Sequence, residues 1–191
     1  MADELPILGF ATQDAFEQWL ETNHSTAKGL WLKIAKKASG IPSVFYEEAL
    51  DAALCFGWID GQKRPYDDDH WLQRFTPRKA HSRWSQRNCD KVDALIISGA
   101  MRAAGLREVK EARADGRWSA AYSGQRTATV PDDLAEALAA NPAAEVFFAT
   151  LDSTNRYAFL YRLGTAKRTE TRARRIEQYV TMLAEHRKIY N

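Results

Sequence analysis

Residues 58–64 and 70–75 are two short runs, WIDGQKR and HWLQRF, with Tyr66-Asp67-Asp68-Asp69 between them and Pro77 just beyond. Aromatic and branched side chains suit a pleated, half-buried surface, and the acidic insert suits a reversal. The pattern predicts two antiparallel strands joined by an acidic turn. Proline cannot donate to a strand ladder, so Pro77 closes the second strand. No other stretch constrains the fold as tightly.

The flanking sequence supplies the neighbours of this hairpin. Residues 5–10 read as a short strand leading into a helix that Thr12 can cap, running to about Asn23 with Phe16, Trp19 and Leu20 as its buried stripe. Residues 28–37 read as a strand with Leu30, Leu32 and Ile34 on one face and Trp31 and Lys33 on the other. A helix follows at about 46–56, apolar at Ala49, Leu50, Ala53 and Leu54, with Glu47 and Glu48 in the first turn, where the helix dipole favours acids. Gly57 sits just past its last turn.

After Pro77 every periodic segment is helical. Ser85 caps a helix to about Ser98, and another covers about 103–114 and ends at Gly116. Residues 116–130 form a loop anchored by Trp118 and Tyr122, and 132–140 is a short helix. Asn141-Pro142 is a cap followed by a first-turn proline, Ser153 begins a further helix, and Thr169 begins the last. The fold class expected is α+β, with a small mixed or antiparallel sheet and helices at the front and an all-helical C-terminal region. Residues 1–80 would be the α/β front with its aromatic hairpin, and residues 81–191 a helical region packed on it as one compact unit.

With 27 Lys and Arg against 25 Asp and Glu, the formal charge is +2, which recommends neither nucleic acid nor an anionic membrane as a partner. The charge is uneven. Residues 74–91 carry six Lys/Arg and one Asp, residues 132–152 carry five acids and no Lys or Arg, and residues 156–188 carry nine Lys/Arg and three Glu. Opposite signs on such faces pair within a fold, and docking of the basic run 167–175 on the acidic segment is the preferred use of both, with phosphate binding at that helix start as its rival. The acidic start lacks the basic region and long apolar core of a signal peptide, and no window approaches a membrane span. Cys55 and Cys89 have no CxxC spacing, which fits free thiols in a reducing cytoplasm.

Two groups of residues are candidate ligand contacts. Arg74, Arg78, Arg83, Trp84 and Arg87 form a basic run, with Lys79 and Lys91, in which guanidinium groups could clamp phosphates and the indole could stack. Its structural alternative is that Arg78 and Arg83 hold the acidic turn while Trp84 is an edge residue of the core. The second group is Trp58, Asp60, Lys63, Trp71 and Arg74, an aromatic wall with a few polar groups, as small-molecule pockets are built. Asp60 beside Gly61 is equally a bulge whose carboxylate takes backbone N–H bonds. Asp67-Asp68-Asp69-His70 reads as a turn, not a metal site, because adjacent acids diverge and no second histidine lies at ligand spacing. Cys55 with His24 or His70 could form a nucleophile and base, but Cys55 lies on an apolar helix face. No phosphate-loop, dinucleotide or nucleophile-elbow motif is present, so no cofactor is expected.

The runs NHSTAKGLWLKIAKKASGIPSVFYEEALDAALCFGWIDGQ, WLQRFTPRKAHSRWSQRN, DGRW and RYAFLYRLGTAKRTETRARRI resemble the YdeI/OmpD-associated family, the bacteriocin-protection proteins. The resemblance spans roughly residues 16–183. Arg102-Ala103 stand where members tend to carry Thr-Pro, which bears on a helix start. It implies an α+β front, a helical C-terminal region and bacterial tolerance of antimicrobial stress, with no catalytic residues to carry over. The family name evokes an outer-membrane partner and some members are described as periplasmic, whereas this N-terminus points to the cytoplasm. The function expected is a non-enzymatic stress-tolerance protein that binds an anionic small molecule or a protein partner. An enzyme with a pocket around Asp60 and Trp71 is the alternative, and a nucleic-acid binder is a disfavoured third. The hairpin and the cationic segment behind it are expected to form one recognition face.

Overall fold

The computed structural model describes residues 5–166 and 168–191. The chain divides into two compact units, Met1–Ala121 and Tyr122–Asn191. Residue 80, where the sequence pattern turns helical, falls inside the first of them.

In the first unit, strand β1 (Ile7–Gly9) leads to helix α1 (Gln13–Asn23), where the Thr12 hydroxyl accepts the Ala15 N–H at 3.2 Å. Strand β2 (Leu30–Ala35), helix α2 (Tyr46–Cys55), and strands β3 (Trp58–Pro65) and β4 (His70–Pro77) follow. The strands form a mixed sheet in the order β1-β2-β4-β3, with β1 parallel to β2 and both other pairs antiparallel. The α+β expectation holds.

Leu30, Leu32, Ile34 and Phe75 face α1 and α2 and are at most 2% exposed. Trp58 joins them at 1%, its indole N–H donating to the His24 carbonyl at 3.1 Å and its ring meeting Trp19 edge-on at 5.8 Å between centroids. Burying a large aromatic side chain contributes about 2–3 kcal/mol, so this cluster is a main source of the unit's stability. Gly57, at φ +75°, turns the chain from α2 into β3 through a left-handed conformation that a side chain would strain.

Helices α3 (Gln86–Ile97, capped by Ser85) and α4 (Ala103–Ala114) complete the unit, and both pack on α2. Arg102 precedes α4 without a side-chain cap. Gly105 lies in α4 where it crosses the end of α2.

The second unit contains α5 (Asp132–Ala139), α6 (Pro142–Thr150), α7 (Ser153–Gly164) and α8 (Thr169–Ala184). They enclose Leu134, Leu138, Phe148, Phe159, Leu163, Tyr179 and Leu183. Asn141 and Asp152 accept the N–H of Ala144 and Asn155, capping α6 and α7. The acidic and basic segments meet as expected, because Arg172 donates to the Asp133 carboxylate at 2.8 Å. That hydrogen bond holds the Asp133 carboxyl below its usual range. Arg175 donates to the Arg162 carbonyl and to the Thr165 hydroxyl, so it also serves the carbonyl end of α7, where the helix dipole favours cations. Lys167, the first residue of the expected basic run, lies outside the described residues.

A Cβ on Gly105 would stand 2.4 Å from the Cys55 carbonyl oxygen and 2.7 Å from that of Leu54. Both are backbone atoms and cannot swing away. Gly105→Ala should therefore lower stability by about 2 kcal/mol, even though alanine favours an isolated helix by about 1 kcal/mol. Urea denaturation measures the difference, and an unchanged or raised midpoint would disprove the close crossing.

Candidate functional site

A recess of about 400 Å³ opens on the helix side of the sheet and is lined by Tyr46, Asp60, Gly61, Lys63, Trp71 and Gln73. The register explains the grouping. Asp60 pairs with Phe75 and Lys63 with Gln73, so β3 uses three residues where β4 uses two. The extra residue is a β-bulge, and it turns Asp60 and Lys63 to the same side, which a regular strand would not do. The Gln73 side-chain amide donates to the Gly61 carbonyl at 2.9 Å and to that of Gln62 at 3.3 Å, pinning the bulged segment from beneath.

Helix α2 supplies the opposite wall. Its first residue, Tyr46, points its ring towards Trp71, 6.2 Å between centroids, and donates its hydroxyl to the Asp60 carboxylate at 2.8 Å. Burial, followed by the charge of Asp60, pushes the Tyr46 phenol well above the ordinary tyrosine range. The Arg87 guanidinium lies 5.6 Å from the Tyr46 ring centre and pairs with Glu47. Although burial works the other way, the bonds from Arg87 and Lys91 hold the Glu47 carboxyl below its ordinary range. Lys63 is exposed and makes no hydrogen bond or ion pair among the described residues. The site thus combines two rings, a carboxylate engaged by a phenol, and an ammonium with no counter-charge.

Asp60, Lys63 and Trp71 come together as the sequence suggested. Trp58 and Arg74 do not line the recess. Trp58 points into the core under α1, and Arg74 pairs with Trp31 across β4 and β2, on the other face of the sheet. Asp60 does sit at a bulge, but its partner is a phenol on α2 and not the backbone N–H groups expected.

The basic run does not form the single surface that was expected of it. Arg78 is 7% exposed, its guanidinium carbon 3.4 Å from the centre of the Trp84 ring, and it donates to the Arg83 carbonyl at 3.2 Å. Trp84 is fully buried, 4.9 Å from Trp118. Arg83 is exposed, and Arg87 stands beside Tyr46. The run crosses the end of a strand, a loop and a helix start, and each element aims its residues differently. The acidic turn is held by nearer groups. Asp67 accepts from the Asp69 and His70 N–H groups and bonds the His70 ring, while Lys36 donates to the carbonyls of Asp67 and Asp68.

Cys55 and Cys89 are free, buried thiols, each pushed up to about 11 by burial, which makes both poor nucleophiles. Among the described residues no group of three or more His, Cys, Asp or Glu side chains could hold a metal, and no helix is long and apolar enough to cross a membrane.

Tyr46 and Gln73 were missed from the sequence. Gln73 carried a usable signal, because it is a polar residue at an inward position between Trp71 and Phe75, and a buried amide there must have partners. Tyr46 carried none beyond its place at the start of α2.

Residues 8–108, more than half of the 191, match the family model described as Domain of unknown function (DUF8412). Residues 127–186 match the one described as Bacteriocin-protection, YdeI or OmpD-Associated, the family that the sequence resembles. The recess and its bulge lie within the first match. No curated protein and no solved structure matches the chain significantly.

Because its pKa is raised on folding, the Tyr46 phenol contributes stability that is complete below about pH 10 and is lost as the pH rises through its folded value. Tyr46→Phe should remove one late-titrating phenol from the ultraviolet absorbance titration. It should also cost about 1 kcal/mol at neutral pH through the lost bond to Asp60. Loss of an ordinarily titrating phenol instead, with the late phase intact, would show that the phenol is not held by Asp60.

Proposed function

The chain belongs to the family described as Domain of unknown function (DUF8412), and we propose that it is a non-enzymatic bacterial stress-tolerance protein that binds a small anionic ligand in the recess of its first unit. The observation that carries the reading is the convergence of Lys63, an ammonium without a partner, with the rings of Tyr46 and Trp71 on one side of the sheet. A ring or flat apolar group of the ligand lies against the two aromatics, and its anionic group takes Lys63 as counter-ion. Asp60, tied to the Tyr46 hydroxyl, receives a hydrogen-bond donor from the ligand on its remaining lone pairs.

The match over residues 127–186 supports a role in bacteriocin protection or related stress. Two buried free thiols support a reducing compartment, and the cytoplasm is the location we assign. Binding is favoured over catalysis because the one carboxylate in the recess is bonded to a phenol, with no ion pair between Asp60 and Lys63 among the described residues.

A thermal-shift screen of inorganic phosphate, nucleotides and aromatic carboxylic acids tests the proposal. A ligand at a hundred times its Kd should raise the melting temperature by roughly 5–10 °C. Lys63→Ala should abolish that rise and Asp60→Asn should reduce it, both variants remaining folded by circular dichroism. A screen in which no anion shifts the melting temperature, or a shift that survives in Lys63→Ala, would contradict the assignment.

A further inference from the structure

The recess uses one side of the sheet, and the side turned away from α1 and α2 has a different character. Register places Ile7, Trp31, Lys33, Arg64, Leu72 and Arg74 there. Lys33, Leu72 and Arg64 form one row across β2, β4 and β3, and Trp31 and Arg74 sit side by side in the next. Three of these residues are cations, and no strand position on this side holds an acid.

Some cations elsewhere in the first unit are answered by carboxylates. Arg87 pairs with Glu47, Lys91 with Asp51, and Arg113 with Asp93. The three on the open side are not. Arg64 lies over the Trp31 ring, 4.3 Å from its centre, and the Lys33 ammonium stands 5.9 Å from that of Tyr66. The side chains of these two and of Arg74 make no ion pair or hydrogen bond among the described residues, and the Nε of Arg74 is buried without an acceptor. A ring positions a cation but leaves its full charge in place, whereas a carboxylate cancels it. The near-neutral total charge therefore does not describe this surface, which keeps three positive charges with nothing set against them. The acidic turn marks one end of it, and its Asp67 is already engaged by His70.

We infer that this open sheet face binds single-stranded nucleic acid, independently of base sequence. Three uncompensated cations on one side of the sheet suit successive phosphates, and the guanidinium of the exposed Arg64, held against Trp31 on one side, offers its other side for a base to stack on. An acidic polypeptide would meet the charges but would leave that stacking surface unused.

Fluorescence anisotropy of a labelled twelve-residue oligothymidylate, titrated with the full chain, tests the inference. Binding should appear at about 50 mM salt and weaken with a log–log salt slope of about −2, the value for roughly three phosphates of a single strand. Lys33→Gln, Arg64→Gln and Arg74→Gln should each weaken it several-fold and make the slope shallower by about 0.7. Lys110→Gln, on the exposed side of α4, should leave it unchanged. Circular dichroism and the melting temperature identify any variant that fails to fold, and the exposed Arg64 is the substitution least able to disturb the core. No anisotropy change at low salt, equal loss from Lys110→Gln, or displacement of the oligonucleotide by an equal charge of polyglutamate would each overturn the inference.

Discussion

The side-chain amide of Gln73 holds one surplus residue in β3, and both surfaces of the sheet depend on it. With that residue in place, Asp60 and Lys63 share the helix side, and Arg64 passes to the other. In a regular ladder Lys63 would stand opposite Leu72 on the open side and Arg64 would enter the recess. The recess would then lose its solitary ammonium, and Trp31 would lose the guanidinium that lies on it. A buried polar group commonly fixes one arrangement among several of similar energy, and Gln73, 4% exposed, does so here through carbonyl groups that the bulge leaves out of the ladder.

The same economy governs where the cations end. In the first unit Arg78 is drawn inside against Trp84, because a weakly hydrated, planar guanidinium can stack on an indole and still reach a carbonyl. In the second, Arg172 and Arg175 serve Asp133 and the carbonyl end of α7. A cation enclosed or neutralised in these ways offers little to a ligand. Among the strand residues, the cations without a carboxylate partner are Lys63 on one side of the sheet and Lys33, Arg64 and Arg74 on the other. The density of arginines in a stretch of sequence is therefore a poor guide to where an anion would bind, and the partner of each one is a better guide.

Much of the fold was legible because it rests on local chemistry. The hairpin, the caps at Thr12, Ser85 and Asn141, and the proline after it sit where residue type alone puts them. Alternation in β2 also separated Leu30, Leu32 and Ile34 from Trp31 and Lys33, which already defines the two sides of the sheet. The position of the bulge was not legible, because Asp60-Gly61-Gln62 permits a bulge without requiring one, and the deciding contact comes from Gln73 on the neighbouring strand. Trp58 could not be assigned from sequence for a similar reason, since the carbonyl and the ring that receive it belong to His24 and Trp19. Two family matches, one over the sheet and one over the later helices, follow the division between the units more closely than the change of periodicity near residue 80 does.

Nuclear magnetic resonance of the Gln73 side-chain amide tests the central claim most directly. The two amide protons should exchange slowly with solvent and show nuclear Overhauser contacts to Gly61 and Gln62, with the cross-strand contacts of β3 skipping one residue between Asp60 and Lys63. Rapidly exchanging amide protons, or cross-strand contacts that run from Asp60 to Pro65 without the skip, would contradict it.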